Sequence, residues 1–490
     1  MHEILKDEIS ESAHENIEYL KNLFSDNADV ILREFYMGRY NAGIAYIDGM
    51  SDKILLDNFV LETLMDPNTD IKNIKDDTEE IKRKILTVSD VKSAAKFGDC
   101  INLMLSGEAL LFIDGLSECY VIAARAFPAR GVSEPASETV IRGARDSFTE
   151  TIRFNTVLIR RRIRDTRLKM VPKTIGVRSK TDVIVTYIED IVNKDVLSEL
   201  QKRLKSINVD AILDSGYIEE YIEDDTWSLF PQVQSTERPD VVAAALYEGR
   251  IAVIVDNSPY AIIVPATFPS FFQSPDDYYG RWIYSSFIRI LRFIGLFIAL
   301  IAPAFYVAVT SFHTSIIPSK LAYSIAATRE GVPFPAFVEA LIMEISLDFL
   351  TEASIRLPKP ISATIGIVGG LIIGQAAVSA GIVSPVMIIV VAITVICSFI
   401  TSNYEINIAI RIIRFLLIIA ASILGLYGIM LGLITALIHL VRLKSFGIPY
   451  LSPAVNPDIS DFKDMFIRFP HYCMKERPHF MKTGDKIRQK

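Results

Sequence analysis

The chain has 490 residues, half of them hydrophobic and 22% charged, with a formal net charge of -7. A mean hydropathy of +0.32 is too high for a soluble protein carrying that share of charge. The apolar excess is therefore concentrated in membrane-crossing segments, and the acidic balance argues against nucleic acid as a partner.

Met1 to Glu8 is acidic and lacks the basic and apolar stretches of a signal peptide, so the N-terminal region is expected to stay in the cytoplasm. After an opening helical pattern, Leu110–Ile113 and Tyr120–Ala124 flank Asp114-Gly115 and read as a hairpin. Phe148, Ile152, Ile159, Ile163 and Met170 recur at four or seven, the pattern of one long helix linking two domains.

Beyond it, Val183–Ile188 reads as a strand, Val196–Ser206 as a helix and Val209–Ile212 as another strand. Ala243–Leu246, Ile251–Val255 and Tyr260–Val264 are apolar runs separated by Tyr247-Glu248-Gly249-Arg250 and Asp256-Asn257-Ser258-Pro259, which fits an α/β domain with a mixed sheet. No internal repeat is visible. The basic run Arg160–Lys169 and the acidic run Glu219–Asp225 read as solvated helix faces, or as complementary surfaces of neighbouring subunits; the basic run would also suit anionic lipid headgroups.

Phe293–Ser319, Pro360–Tyr404 and Phe415–Val441 carry no charge. Crossing a hydrocarbon core of ~30 Å takes about 20 helical residues, so four spans are predicted, near 287–311, 361–381, 384–402 and 412–441. Arg281, Arg289 and Arg292 before the first and Arg442 and Lys444 after the last place both termini inside; Arg411 and Arg414, on a short loop assigned outside, argue against this. Between the first two spans, 336–356 reads as an amphipathic helix, too acidic to cross lipid alone, that lies at the surface or dips in against protein. The expected fold class is thus an α/β soluble N-terminal region of two subdomains, 1–150 and 151–284, then an α-helical transmembrane domain at 285–445 and a cytoplasmic tail at 446–490.

Catalytic signatures and cofactor motifs are missing, so no enzyme activity, catalytic residue or cofactor is expected. Cys100, Cys119, Cys397 and Cys473 have no paired spacing, and His471, Cys473 and His479 form no recognisable metal pattern. The second predicted span is more informative. Ser362, Gly366, Gly370 and Gly374 fall every fourth residue, a helix-packing stripe, while Thr364, Val368, Gln375 and Ser379 form an opposite, partly polar face. That face suits either a pore wall in an oligomer or ordinary contact with protein. Glu339, Glu344, Asp348 and Glu352 on the preceding helix are candidates for an acidic pore mouth, or for a solvated face.

Four ordered stretches resemble one family, the A subunits of GerA-type spore germinant receptors. They are Arg130–Gly143 with Phe148-Thr149-Glu150; Glu237-Arg238-Pro239-Asp240 leading through Glu248-Gly249-Arg250 and Val264–Phe268 to Asp277-Tyr278-Tyr279; Pro333–Glu344; and Gly366–Ala377. Within the first, Glu134, Pro135, Glu138 and Arg142 carry the soluble-domain signature, while Ala144 and Ser147 stand where the pattern has Pro and Gly. The resemblance implies a multi-pass protein of the spore inner membrane that joins a transporter-like B subunit and a lipoprotein C subunit. It further implies a homo-oligomer, a ring that conducts monovalent cations when a nutrient signal arrives. A non-conducting signalling scaffold and a secondary transporter are the alternatives. The nutrient and the subunit count are not legible in the sequence.

Overall fold

The structure is a computed structural model and describes residues 8–66, 90–126, 134–135, 138–358, 361, 369–370, 374–400, 403–455, 458 and 460–489. The chain divides into two compact units, an α/β unit of residues 1–226, 233–265 and 475–490 and a helical unit of residues 227–232 and 266–474.

The α/β unit holds two five-stranded sheets. The first comprises β1 (Val30–Met37), β2 (Tyr40–Ile47), β3 (Val91–Ala94), β4 (Ala109–Ile113) and β5 (Cys119–Ile122), in the order β1-β2-β4-β5-β3. The second comprises β6 (Leu168–Ile175), β7 (Thr181–Ile188), β8 (Gln234–Thr236), β9 (Ile251–Val255) and β10 (Ala261–Val264), in the order β6-β7-β9-β10-β8. The expected hairpin is β4–β5, with Leu111 opposite Tyr120 and Gly115 turning at φ 89°. All neighbouring strands run antiparallel, so the second sheet is not mixed.

Subtracting five from each label turns the second order into the first. In each half a helix precedes a strand pair, helical segments lead to the strand that becomes the sheet edge, and another helix leads to the final hairpin. The unit is thus a tandem of one topology, a repeat the sequence does not display because side chains diverge while strand pairing persists.

Three local expectations fail for identifiable reasons. The long helix ends early: Ile152–Arg160 is helical, but Leu168–Ile175 is strand β6. Arg160 stops it, since its guanidinium is drawn into the interior and donates to the carbonyls of Asp165 and Leu168, which ties down the turn. Residues 209–212 form no strand; Val177 and Arg178 donate to the Val209 and Asp210 carbonyls in a loop contact instead. Ala243–Leu246 lies in the helix Pro239–Tyr247, begun by a proline at its first position and filled with alanine, the best helix former. Gly249, at φ 86°, then reverses the chain into β9.

Nor is the basic run wholly a solvated face, although Arg161 and Arg164 are exposed. Arg160 is fully buried and grips Asp29 through Nε and Nη2 at 2.8 and 2.9 Å, joining the two halves, and Ala28 donates its N–H to Met170 of β6. Arg162 pairs with Asp146 and Arg167 with both Asp165 and Asp190. Residues 475–490 pack on the second half, where Asn193 donates to the Met481 carbonyl and Arg477 to that of Tyr247. Residues 446–474 belong to the helical unit, so the predicted tail is shared between the two units.

In the helical unit, Trp282–Ser311 and Tyr404–Leu424 are long and apolar enough to cross a membrane, while Pro385–Ser398 and Leu426–Arg442 are shorter apolar helices. Four spans are therefore not established. Residues 362–368 and 371–373 of the predicted span 361–381 lie outside the described residues, and the predicted span at 412–441 is not one helix. Gly425, at φ 62° and ψ -139°, breaks it. A methyl at Gly428 would overlap the Ala420 carbonyl, and one at Gly432 would meet Leu417 Cδ2 at 2.5 Å, so the two pieces fold back antiparallel as a hairpin.

Breaking the Arg160–Asp29 pair from one side leaves an unmatched buried charge, with a typical cost of ~3–5 kcal/mol. Arg160→Met should therefore lower the thermal midpoint of the chain well below that of the double variant Arg160→Met, Asp29→Leu. Equal midpoints would show that the pair does not hold the halves together.

Candidate functional site

The four predicted acidic-mouth carboxylates sit on the helix Ala336–Arg356, and each has an arginine partner. Glu339 is fully buried; its Oε1 lies 3.0 Å from Arg329 Nη2, and its Oε2 accepts the Ser384 N–H at 2.9 Å. Ser384 is the N-cap of Pro385–Ser398, and its hydroxyl lies 3.1 Å from that of Tyr306. Glu339 therefore ties two helices together and, through Ser384, the long helix Trp282–Ser311 to them.

Glu344 and Asp348 meet Arg414 and Arg411 of the helix Tyr404–Leu424. Glu344 Oε2 lies 2.8 Å from Arg414 Nη2, and Asp348 Oδ1 lies 3.3 Å from Arg411 Nε. Arg414 also donates to the Ala299 carbonyl of the helix Trp282–Ser311 at 3.3 Å. Carboxylates four apart thus face guanidiniums three apart, a ladder that helical periodicity permits on both helices. This corrects the placement of Arg411 and Arg414 on an outside loop: both lie inside a helix, where the carboxylates neutralise them. It also decides where the amphipathic helix goes, since its acidic face is buried against protein. Glu352, by contrast, makes an exposed pair with Arg356.

Of the predicted pore face and packing stripe, Ser362, Thr364, Gly366 and Val368 lie outside the described residues. Gln375 and Ser379 are helical and exposed on the chain's own surface. A methyl at Gly370 would meet nothing within 4 Å, and one at Gly374 only Ile388 at 3.9 Å. Gly369 makes the close approach instead, where a methyl would come to 2.6 Å from Leu350 of the acidic helix.

In the α/β unit the signature loop meets a buried arginine at Glu138 and Ala144. Arg238 donates Nη1 to the Glu138 carbonyl at 3.1 Å and Nη2 to that of Ala144 at 2.9 Å, while its charge is met by Asp240 at 2.8 Å. Glu138 accepts the Thr236 hydroxyl at 2.7 Å, and Tyr260 donates to Glu237 at 2.6 Å. Pro135 is buried, whereas Glu134 makes an exposed pair with Arg145 and Arg142 is exposed. Two signatures roughly a hundred residues apart are thus one structural piece: the first is a loop, and the second holds it against β8. Sequence reading singled out both motifs but not Arg238 as the anchor, nor Arg414 as the partner of Glu344.

Two predictions follow from these contacts. Burial pushes the Glu138 carboxyl up to about 7, against the downward pull of the Thr236 hydrogen bond and the Arg238 charge. A carboxyl raised in the folded state stabilises fully below its unfolded value near 4.3, and that contribution fades as pH rises through 7. Glu138→Gln should match the parent near pH 4 and melt higher near pH 8; parallel melting-versus-pH curves would refute this. Glu344→Gln should destabilise the helical unit by about 3 kcal/mol, with much of the loss recovered by adding Arg414→Met; additive losses in the double variant would show that the ladder is not a coupled pair.

The family model described as Bacillus/Clostridium GerA spore germination protein matches residues 18–480. The chain is 43% identical over 478 residues to "Uncharacterized membrane protein YfkQ" of Bacillus subtilis (strain 168), covering 97% of this chain and 93% of that one. It is 42% identical over 486 residues to "Spore germination protein KA" of the same organism, covering 98% and 89%. Identity is again 42% over 459 residues with "Spore germination protein GerLA" of Bacillus cereus, covering 93% of each. Among solved structures, the N-terminal domain of the A subunit of the Bacillus megaterium spore germinant receptor GerK3 is 34% identical, spanning 54% of this chain and 98% of that one at a TM-score of 0.42.

Proposed function

The chain belongs to the GerA spore germination family, and on that premise we propose that it is the A subunit of a nutrient germinant receptor, acting without enzymatic chemistry to trigger spore germination. The observation that carries this reading is the family match across residues 18–480, which takes in most of the α/β unit and all of the helical unit. In this reading the subunit works in the spore inner membrane with a transporter-like B subunit and a lipoprotein C subunit.

The finer proposal is a homo-oligomeric ring whose helices around 361–381 enclose a nutrient-gated cation path. Gln375 and Ser379 support it. They are polar, lie in an otherwise apolar stretch, and are exposed on their own chain, so another surface or water must meet them. A nutrient bound on another subunit would open such a path only through contacts that differ between closed and open arrangements.

One observation favours the second reading, a non-conducting scaffold. The carboxylates proposed to concentrate cations at a mouth are already neutralised by Arg329, Arg414, Arg411 and Arg356. Potassium efflux from vesicles holding the assembled receptor separates the two. In a narrow pore Gln375→Leu removes a wetting group and should cut efflux about tenfold, the effect of ~1.4 kcal/mol on a barrier. Efflux and nutrient response both unchanged would leave the scaffold as the better account.

A further inference from the structure

The long helix Trp282–Ser311 begins with Arg281 as N-cap, and no side chain caps its first turn. Just inside that end lies a dense polar cluster drawn from three parts of the helical unit. Asp277 is buried and receives Arg292 at 2.7 and 2.9 Å and Arg289 Nε at 3.2 Å. Asp464 receives Arg289 Nη1 at 2.8 Å and the Tyr278 hydroxyl at 2.7 Å. The guanidiniums of Arg289 and Arg468 lie 5.7 and 5.8 Å from the centre of the Tyr278 ring. The backbone of Arg468 is pinned to Ser286, whose hydroxyl contacts both its N–H and its carbonyl at 3.1 Å.

This cluster is incomplete in charge and in hydrogen bonding. Three guanidiniums, Arg289, Arg292 and Arg468, are matched by two carboxylates, Asp277 and Asp464. Arg468 Nη2 reaches only the Tyr278 carbonyl, at 3.4 Å, and a ring nitrogen of His471. Burial pushes the Arg468 guanidinium below its ordinary value. Three buried donors have no partner among the described residues: Ser285 Oγ, Arg289 Nη2 and Arg468 Nε, on side chains 2%, 0% and 3% exposed. Ser285 and Arg289 stand one turn apart on the same helix face, Ser285 in the first turn, where the helix dipole is positive. Buried donors and an unmatched buried cation are costly unless a ligand answers them.

We propose that this cluster is a phosphate-class oxyanion site, with Ser285, Arg289 and Arg468 as its ligands. One bound phosphate supplies the missing negative charge and enough acceptor oxygens for all three donors, a geometry guanidinium groups favour. The helix turns continuously apolar from Phe293, and exposed Trp282 and Tyr284 flank the site, the aromatic pattern of a membrane interface. A phospholipid headgroup and free phosphate share the required chemistry. The lipid source additionally rests on the reading of Trp282–Ser311 as a span.

The full-length chain in detergent provides the test, in two arms. One measures phospholipid retained after purification, by native mass spectrometry. The other strips lipid and follows the thermal midpoint with inorganic phosphate against chloride at matched ionic strength. A retained phospholipid that is lost in Ser285→Ala and Arg468→Gln identifies the headgroup; a saturable rise with phosphate, weakened in both variants, identifies the free ion. Ser285→Ala removes only an unpartnered hydroxyl, so it reports on the site even if Arg468→Gln misfolds. The proposal is overturned if the parent retains no lipid and responds to phosphate as to chloride. It is equally overturned if Arg468→Gln melts higher than the parent under every condition, since an unfilled site makes the extra cation a burden.

Discussion

An arginine taken out of water is tolerable only with its counter-charge beside it, and the architecture of this chain turns on meeting that demand at a few positions. Arg160 reaches Asp29 across 131 residues of sequence. Arg238 holds the signature loop while Asp240 neutralises it, and Arg414 in an apolar helix is met by Glu344. Coulombic attraction is strong at such sites because the surroundings screen little, and removing one partner is correspondingly severe. These pairs therefore decide which elements lie together more sharply than apolar contact does, since hydrophobic burial has no direction.

That demand explains why the α/β unit is one body built from two copies of a topology. Each five-stranded antiparallel sheet has its own apolar core, clustered around Ile44 and Leu111 in the first and around Ala252 and Ile263 in the second. What joins them is partly polar, Arg160 on Asp29, the Ala28 N–H on Met170 and Lys169 donating to the Ser25 carbonyl, and partly apolar, since Val157 of the second half's first helix packs in the first half's core. The C-terminal residues add to the second copy through backbone bonds such as Gly484 N–H to the Ile191 carbonyl.

In the helical unit the same rule shapes the functional question. The helix Ala336–Arg356 has four carboxylates, and its arginine partners make its buried face a structural joint instead of an attractor for cations. Other polar groups without a partner among the described residues include the exposed Gln375 and Ser379 and the three buried donors near the start of the helix Trp282–Ser311. These places call for a second surface or a ligand, as the proposed role in a receptor complex requires.

The sequence by itself determined the apolar character of the C-terminal region, the β4–β5 hairpin, strands β7, β9 and β10, and the family, because each rests on local pattern or on residue identity. Tertiary structure alone decided the rest. The run from Phe148 to Met170 satisfied helical spacing yet splits into helix and strand, because Arg160 turns inward to a carboxylate far away in sequence. The stretch 412–441 looked like one span, but Gly425 adopts a conformation closed to other residues and the helix doubles back. Residues 336–356 allowed a surface helix or a buried one, and only the facing Arg411 and Arg414 settled which. Periodicity records what one segment can do alone; charge pairing across the fold depends on partners that no local window contains.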